Sequence, residues 1–393
     1  MLKENLTKHL FSDELIFVKS YAFKRGFAWE LTKKDRGGEP CPKCGVLSRS
    51  KSGRCLVTVR DEPLRERPLY LRIRKNRYMC RSCRKPFTET APGVYPKRRT
   101  TQRFRKTISD ACVNFVSLQR VRQKYRCSSA LVYNVFYEQL EIKLREKKNK
   151  KWPEVVCVDE HFFSRRKGFT EYVTMFADLN KRSLYEVALG KDKKSLWNQL
   201  AHIQGRMDVK YVVMDMSSTY KSFVREFFPQ AQIVADKFHV LRLMSPSIIK
   251  HRREIHGHRK DLWVRRRLLM NRKKLDYFVR SEIDFYLKQH GSLNELYRTK
   301  ERLHELYRTK GIDRARKGYE QLLKKIENSQ LEEVQRLRKT LINWKNEILN
   351  YFKTGFTNGL VEAFNNTGKL VQKQAYGYKS FKNYRLRLLS ACF

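Results

Sequence analysis

The chain has 393 residues, 86 of them Lys or Arg against 40 Asp or Glu, giving a formal net charge of +46, with 41% hydrophobic and 12% aromatic residues. That composition excludes a disordered chain and leaves room for two or three domains. So large a positive excess repels itself and calls for a polyphosphate partner, while no apolar run approaches the roughly 20 residues that span a bilayer, which excludes a membrane partner of that kind.

The opening stretch "MLKENLTKHLFSDELIFVKS" has only "LIFV" as an apolar block, too short for a secretory signal, so a cytoplasmic protein is expected. Cysteines in such a chain read as metal ligands or free thiols rather than disulfides. Cys41-Pro-Lys-Cys44 and Cys80-Arg-Ser-Cys83 have the spacing of two zinc knuckles, and Gly45 permits a tight turn behind the first. Four unrelated buried thiols are the alternative. Packing roles are assigned to Cys55, Cys112, Cys127, Cys157 and Cys392. Segments 55–60 and 69–80 between the knuckles read as strands. The second alternates Leu69, Leu71 and Ile73 with Tyr70, Arg72 and Arg74, giving a half-exposed strand with a basic face. Residues 1–95 are thus expected to form a zinc ribbon around one structural Zn²⁺.

Residues 96–152 follow as a basic linker and a helical DNA-binding region. Lys97, Arg98, Arg99, Arg103, Arg105 and Lys106 are expected to contact phosphates. "SLQRVRQKYRCSSALVYNV" has the form of a helix-turn-helix, with a helix over 117–125, a turn at Arg126–Cys127 and a second helix capped by Ser128. Val132 and Val135 would pack inward, and Ser129, Tyr133, Asn134 and Tyr137 would face a DNA groove. An ordinary helical hairpin is the alternative.

From 153 the pattern changes. Strands are expected at 154–163, 170–179, 182–190, 210–215 and 231–236, with helices at 193–205 and 218–228, giving a mixed sheet with crossovers. Buried central strands are almost wholly apolar, yet two of these carry an aspartate, Asp159 and Asp215. One such residue could pair with an Arg. Two on neighbouring strands repel unless a cation intervenes, and hard oxygen ligands suit Mg²⁺ or Mn²⁺. A pair of such ions supports phosphodiester cleavage, which needs a third acid. Near the C-terminus, Thr357 or Asn358 can cap a helix on which Glu362, Asn365 and Lys369 share one face. A solvated charged face is the alternative there.

The pieces "CPKCG", "LRIRKNRYMCRSCRKPFTE", "VDEHFFSRRKGFTEYVTMFADL", "VVMDMSSTY", "IVADKFHV", "NGLVEAFNN" and "YGYKSFKNYRLRLL" appear in an order that resembles the ISL-three family of bacterial insertion-sequence transposases over nearly the whole chain. The family is similar to DDE recombinases. The resemblance implies an α/β RNase H-like catalytic core, a mixed sheet flanked by helices with an all-α insertion, preceded by the zinc ribbon and helix-turn-helix. It implies catalytic, metal-holding acids at Asp159, Asp215 and Glu362 and a D-x-x-H element at Asp236 and His239. Lys369, on the same helical stripe as Glu362, is expected to contact DNA. His239 would position water, phosphate or Asp236, or else be a satisfied core histidine. The core would run over 153–244 and 353–393, split by a helical insertion at 245–352. Strand signals do vanish after 240, and the basic run 251–274 adds candidate phosphate contacts. The near-repeat "LNELYRTK" and "LHELYRTK", at 293–300 and 303–310, is expected inside one long helix with its two copies on different faces.

The expected activity is metal-dependent cleavage and strand transfer at the terminal inverted repeats of an insertion sequence, by a nucleoid-associated homo-oligomer acting on double-stranded DNA. A zinc-dependent DNA-binding regulator and an RNase H-like nuclease or resolvase are the alternatives.

Overall fold

The computed structural model describes residues 14–113, 117–147, 151–166, 169–257 and 263–392, and the chain divides into two units, Met1–Lys143 with Gln374–Tyr376 and Leu144–Lys373 with Gly377–Phe393. Residues 258–262 of the basic run 251–274 lie outside the described residues, as do 148–150 of the linker.

In the first unit, β1 (Leu15–Phe23) and β2 (Gly26–Lys33) form a hairpin. β3 (Glu39–Pro40) and β4 (Leu47–Ser48) bracket the first cysteine pair. β5 (Lys51–Leu64), β6 (Arg67–Met79) and β7 (Pro86–Thr88) complete a sheet of order β1-β2-β6-β5, with β7 on β6. The alternation at 69–73 works as expected: Leu69, Leu71 and Ile73 join Leu15, Leu31 and Val59 in a small core. The hairpin was not among the expected strands, because a bulge between Phe17 and Lys19 interrupts its alternation. β2 lies parallel to β6 so closely that a Cβ on Gly26 would stand 1.9 Å from the Pro68 carbonyl oxygen, which explains the glycine.

Three helices follow: α1 (Gln102–Val113), α2 (Leu118–Tyr125) and α3 (Ser129–Lys147). Ser117 caps α2, Arg126 takes a left-handed φ of 48° at its end, and Ser128 Oγ accepts from the Leu131 N–H at 3.2 Å.

The second unit carries β8 (Val155–Arg166), β9 (Phe169–Asp178), β10 (Ser183–Leu189), α4 (Lys193–Leu200), β11 (Tyr211–Met214), α5 (Ser218–Phe227), β12 (Gln232–Ala235) and α6 (Lys237–Arg242). The sheet order is β10-β9-β8-β11-β12, antiparallel from β10 to β8 and parallel from β8 to β12. Trp152, Val158, Phe176, Phe223 and Phe227 pack on one side of it.

Among the described residues, helices then run without a strand: α7 (Ser245–His256), α8 (Trp263–Leu269), α9 (Tyr277–Lys288), α10 (Gly291–Leu306), α11 (Ile312–Lys325), α12 (Glu332–Asn343) and α13 (Lys345–Thr354). They close on the sheet edge, where Asn350 donates to the Ile233 carbonyl at 2.8 Å and Lys221 pairs with buried Glu347 at 2.6 Å. The near-repeat does not lie in one long helix as expected. α10 ends at Leu306, inside the second copy, and Tyr307 to Lys310 turn away from it. Both copies are nonetheless buried at the same positions, Leu293 and Leu303, Leu296 and Leu306, Tyr297 and Tyr307, because α10 is surrounded and the second copy changes conformation.

α14 (Gly359–Gln374) returns to the sheet, and α15 (Phe381–Ala391) lies along β10, where Arg385 holds buried Glu186 through two bonds of 2.6 Å. Among the described residues no helix is long and apolar enough to cross a membrane.

Candidate functional site

The parallel registers align Val155 with Tyr211 and Tyr211 with Gln232. An aspartate stands four positions further on in each line: Asp159, Asp215 and Asp236. The Asp236 N–H donates to the Met214 carbonyl at 2.8 Å, so the ladder reaches this level. The acids therefore sit where β11 and β12 end and the core gives way to polar loops, the usual ligand edge of a parallel sheet.

The three differ in what holds them. Asp159 Oδ1 accepts from the Glu160 N–H at 2.8 Å and Oδ2 from Asn365 Nδ2 at 2.7 Å. Burial pushes its carboxyl up to about 6; the Glu160 N–H works against this and the Asp215 charge adds to it. Asp215 is also raised by burial, and its Oδ1 is buried with no hydrogen-bond partner. An unpartnered buried carboxylate oxygen costs about 1–3 kcal/mol or more. A hard divalent cation would satisfy it, so these donors fit one.

Asp236 has no such vacancy. Its Oδ1 accepts from the Asn358 N–H at 2.9 Å, and its Oδ2 from the His239 N–H at 3.3 Å and from His239 Nδ1 at 3.0 Å. Burial alone would raise its pKa, but these donors hold it below the ordinary carboxylate value. The bond to Asp236 in turn raises the His239 pKa against burial. The His239 side chain is 44% exposed, and the charges of Asp215 and Asp159 reach it.

Glu160 is bound by Tyr220 Oη at 3.0 Å and Lys191 at 3.6 Å, and its charge acts on both Asp159 and Asp215. Glu362 is exposed on α14, one turn before Asn365. Among the described residues, Asp159, Asp215 and Glu362 do not bring their oxygens within 4.8 Å of one another; the four cysteines alone form such a group.

Behind Asp159 runs a buried polar chain. Asn365 faces the carboxylate with its amino group, which turns its Oδ1 to His161 Nδ1 at 3.0 Å. His161 must then donate from Nδ1 and accept the Tyr384 hydroxyl at Nε2, at 2.5 Å. Burial holds the imidazole down to about 4, so it is neutral at pH 7. Gly368 makes the room: a Cβ there would lie 2.8 Å from Tyr384 Oη and 3.0 Å from His161 Cε1.

In the first unit, Cys41 Sγ lies 3.6 Å from Cys83 Sγ and Cys44 Sγ 3.5 Å from Cys80 Sγ, with all four sulfurs within 4.8 Å. Backbone N–H groups, chiefly of Lys43 at Cys41 and of Cys83 at Cys80, lower those two thiols toward thiolate. Cys112, Cys157 and Cys392 are buried and Cys55 and Cys127 half-buried, none of them in a disulfide.

The expected DNA contacts divide. Lys97, Arg98, Arg99 and Lys106 are exposed. Arg105 is buried and paired with Glu138, and Arg103 is bound to fully buried Asp61. Arg98 also lies 3.6 Å from Glu138, whose side chain is partly exposed, so this carboxylate and Asp61 already engage three of the six cations. On α3, Val132 and Val135 are buried while Ser129, Tyr133 and Asn134 are exposed and Tyr137 is half-buried. Lys369 is exposed on α14.

A family model described as Transposase, of the ISL-three DDE group, matches residues 156–388, more than half of the chain. The chain belongs to this transposase family. A second model, described as zinc-finger of transposase IS204/IS1001/IS1096/IS1165, matches residues 38–83 of the transposase. The transposase is similar to the transposase for insertion sequence element IS1001 of Bordetella parapertussis, at 25% identity over 366 residues covering 89% of this chain and 88% of that one.

The zinc-finger match takes in all four grouped thiols, so they form the transposase's structural zinc site. Sequence reasoning passed over Glu160, His161, Gly368 and Tyr384. One signal was available for His161: it stands two residues after Asp159 on a strand, hence on the same face. Tyr384 carried none, since only tertiary packing sets it against His161.

Proposed function

We propose that this transposase binds the terminal inverted repeats of its insertion sequence and cleaves and joins DNA there with Asp159, Asp215 and Glu362 as its catalytic acids. The observation that carries this is the pair Asp159 and Asp215, level on adjacent parallel strands, with one buried Asp215 oxygen lacking any partner. Two Mg²⁺ or Mn²⁺ ions, when bound, would supply an activated water and charge stabilisation for the leaving 3′-oxygen. Asp159 and Asp215 would hold them from the sheet. Glu362 would complete the set by swinging inward from its exposed position on α14, since three carboxylates do not gather without counter-charge. Asp236 orients His239, whose Nε2 is left to meet water or phosphate.

Strand order β10-β9-β8-β11-β12 with its antiparallel and parallel halves supports an RNase H-like core over 153–244 and 353–393, interrupted by the helical segment 245–352. The exposed Ser129, Tyr133 and Asn134, beside the left-handed turn at Arg126, support a helix-turn-helix within 96–152, following the ribbon of 1–95. Joining two DNA ends calls for a homo-oligomer on the DNA.

The test is Mg²⁺-dependent nicking and joining on duplexes that carry the element's ends. Asp215→Asn and Glu362→Gln each abolish nicking on this reading. An unchanged nicking rate in either removes that residue from the site, and nicking without joining makes the protein a nuclease on the same scaffold.

A further inference from the structure

The N-terminal sheet has a second face, opposite its apolar one. Cross-strand register aligns Tyr21, Ala28, Tyr70 and Arg60 in one row, and Lys19, Glu30, Arg72 and Thr58 in the next. The aromatic rings hold the cations. Arg60 donates to Tyr70 Oη and to the Tyr125 carbonyl, each at 2.9 Å, and lies 5.0 Å from the Tyr70 ring and 5.4 Å from that of Phe104, so it is the more enclosed of the two arginines. Arg72 donates to Tyr21 Oη at 2.6 Å and lies 5.6 Å from the Phe23 ring. Lys24 sits 5.4 Å from Tyr70 and 5.5 Å from Phe23. The one acid in these rows, Glu30, is buried and already shared by Arg74 and Lys19.

Arg60 and Arg72 are half-buried, have no carboxylate partner among the described residues, and each leaves a buried Nε without an acceptor. A partly desolvated charge with no counter-ion is unfavourable in the free protein and is relieved by an anion. Guanidinium groups fixed against rings lose little freedom when they bind a phosphate.

We propose that this face of the sheet lies along the phosphate backbone of duplex DNA and supplies a second, sequence-independent contact surface beside α3. The inference rests on the reading that the N-terminal unit binds DNA. Phosphate contacts of this kind fix orientation and leave base discrimination to other residues.

The test uses the full-length, zinc-loaded chain and a labelled duplex, with anisotropy measured over a KCl series. The double variant Lys24→Gln with Arg72→Gln is compared with Arg314→Gln plus Lys317→Gln, two exposed cations of α11. Each lost phosphate contact lowers the log K against log[KCl] slope by about 0.9. The sheet variant is expected to lose close to two such steps, and to weaken end-bearing and random duplexes by the same factor. The α11 control is expected to leave the slope unchanged. A parental slope in the sheet variant with its melting temperature retained, or an equal drop in the control, overturns the proposal. If Tyr133→Ala abolishes the preference for end-bearing duplex while the sheet variant binds as the parent does, the sheet contact falls and the α3 reading stands. If the parent binds neither duplex, both fall.

Discussion

Asn365 donates to Asp159 at 2.7 Å across a sequence separation of 206 residues, and the same side chain accepts from His161 at 3.0 Å. One amide thus joins an acid of the candidate site to a histidine and sets that histidine's tautomer. Asn358 adds a second pin at the start of α14, through Val158 and Asp236.

Replacing Asn365 tests this pin. Asn365→Ala leaves the His161 Nδ1–H buried without an acceptor, and the expected loss is about 2–3 kcal/mol of stability in urea unfolding. Asn365→Asp keeps an acceptor for His161 but sets a second carboxylate against Asp159. Its ¹⁵N spectrum is expected to show a protonated His161 imidazole at pH 7, where the parent shows the neutral Nδ1–H form.

Gly368→Ala forces a methyl group onto Tyr384 Oη and His161, and overpacking of this kind costs about 1–3 kcal/mol. Tyr384→Phe removes the atom in closest conflict. The double variant is expected to unfold at higher urea than the sum of the two single losses allows; strict additivity shows that the two positions do not meet.

Asp215 is raised by burial, with one oxygen unpartnered. Asp215→Asn is therefore expected to leave the metal-free protein at least as stable as the parent. Addition of Mg²⁺ or Mn²⁺ to ten times its Kd stabilises the parent by about 1.4 kcal/mol. The variant is expected to lose most of this shift. Calorimetry with and without the ion reads both effects without any DNA present.

Stability should respond to pH through His161. Its folded pKa of about 4 lies below the unfolded 6.5, so between these values the unfolded chain binds more protons. The contribution is complete above about 6.5 and is lost as pH falls toward 4, on the order of 3 kcal/mol in all. Asp159 acts in the opposite sense. Raised from 3.8 to about 6, it favours the folded state at low pH and loses that benefit as pH rises through the same range. Comparing the parent with His161→Gln from pH 4.5 to 7 isolates the first slope; an unchanged slope means that His161 titrates normally.

The alternation of Leu69, Leu71 and Ile73 determined a strand. The spacing of Cys41, Cys44, Cys80 and Cys83 determined a metal site, and two aspartates beside apolar strands pointed to a cation. Such features are local, because side-chain period and ligand spacing are set by residues near one another in the chain. The net charge likewise named a polyanion as partner, since charge sums without regard to fold. The bulged hairpin β1–β2 escaped because one extra residue shifts the pattern to the other face. The pairing of Arg103 with Asp61 and of Arg105 with Glu138 left no mark in the sequence, because a basic run looks alike whether it faces solvent or carboxylates of the same chain. Tertiary structure alone decided which cations were already paired, that Asp159, Asp215 and Asp236 stand level, and that His161, Asn365 and Tyr384 meet. Strand register and helix docking join residues hundreds of positions apart, and no periodicity records such a meeting.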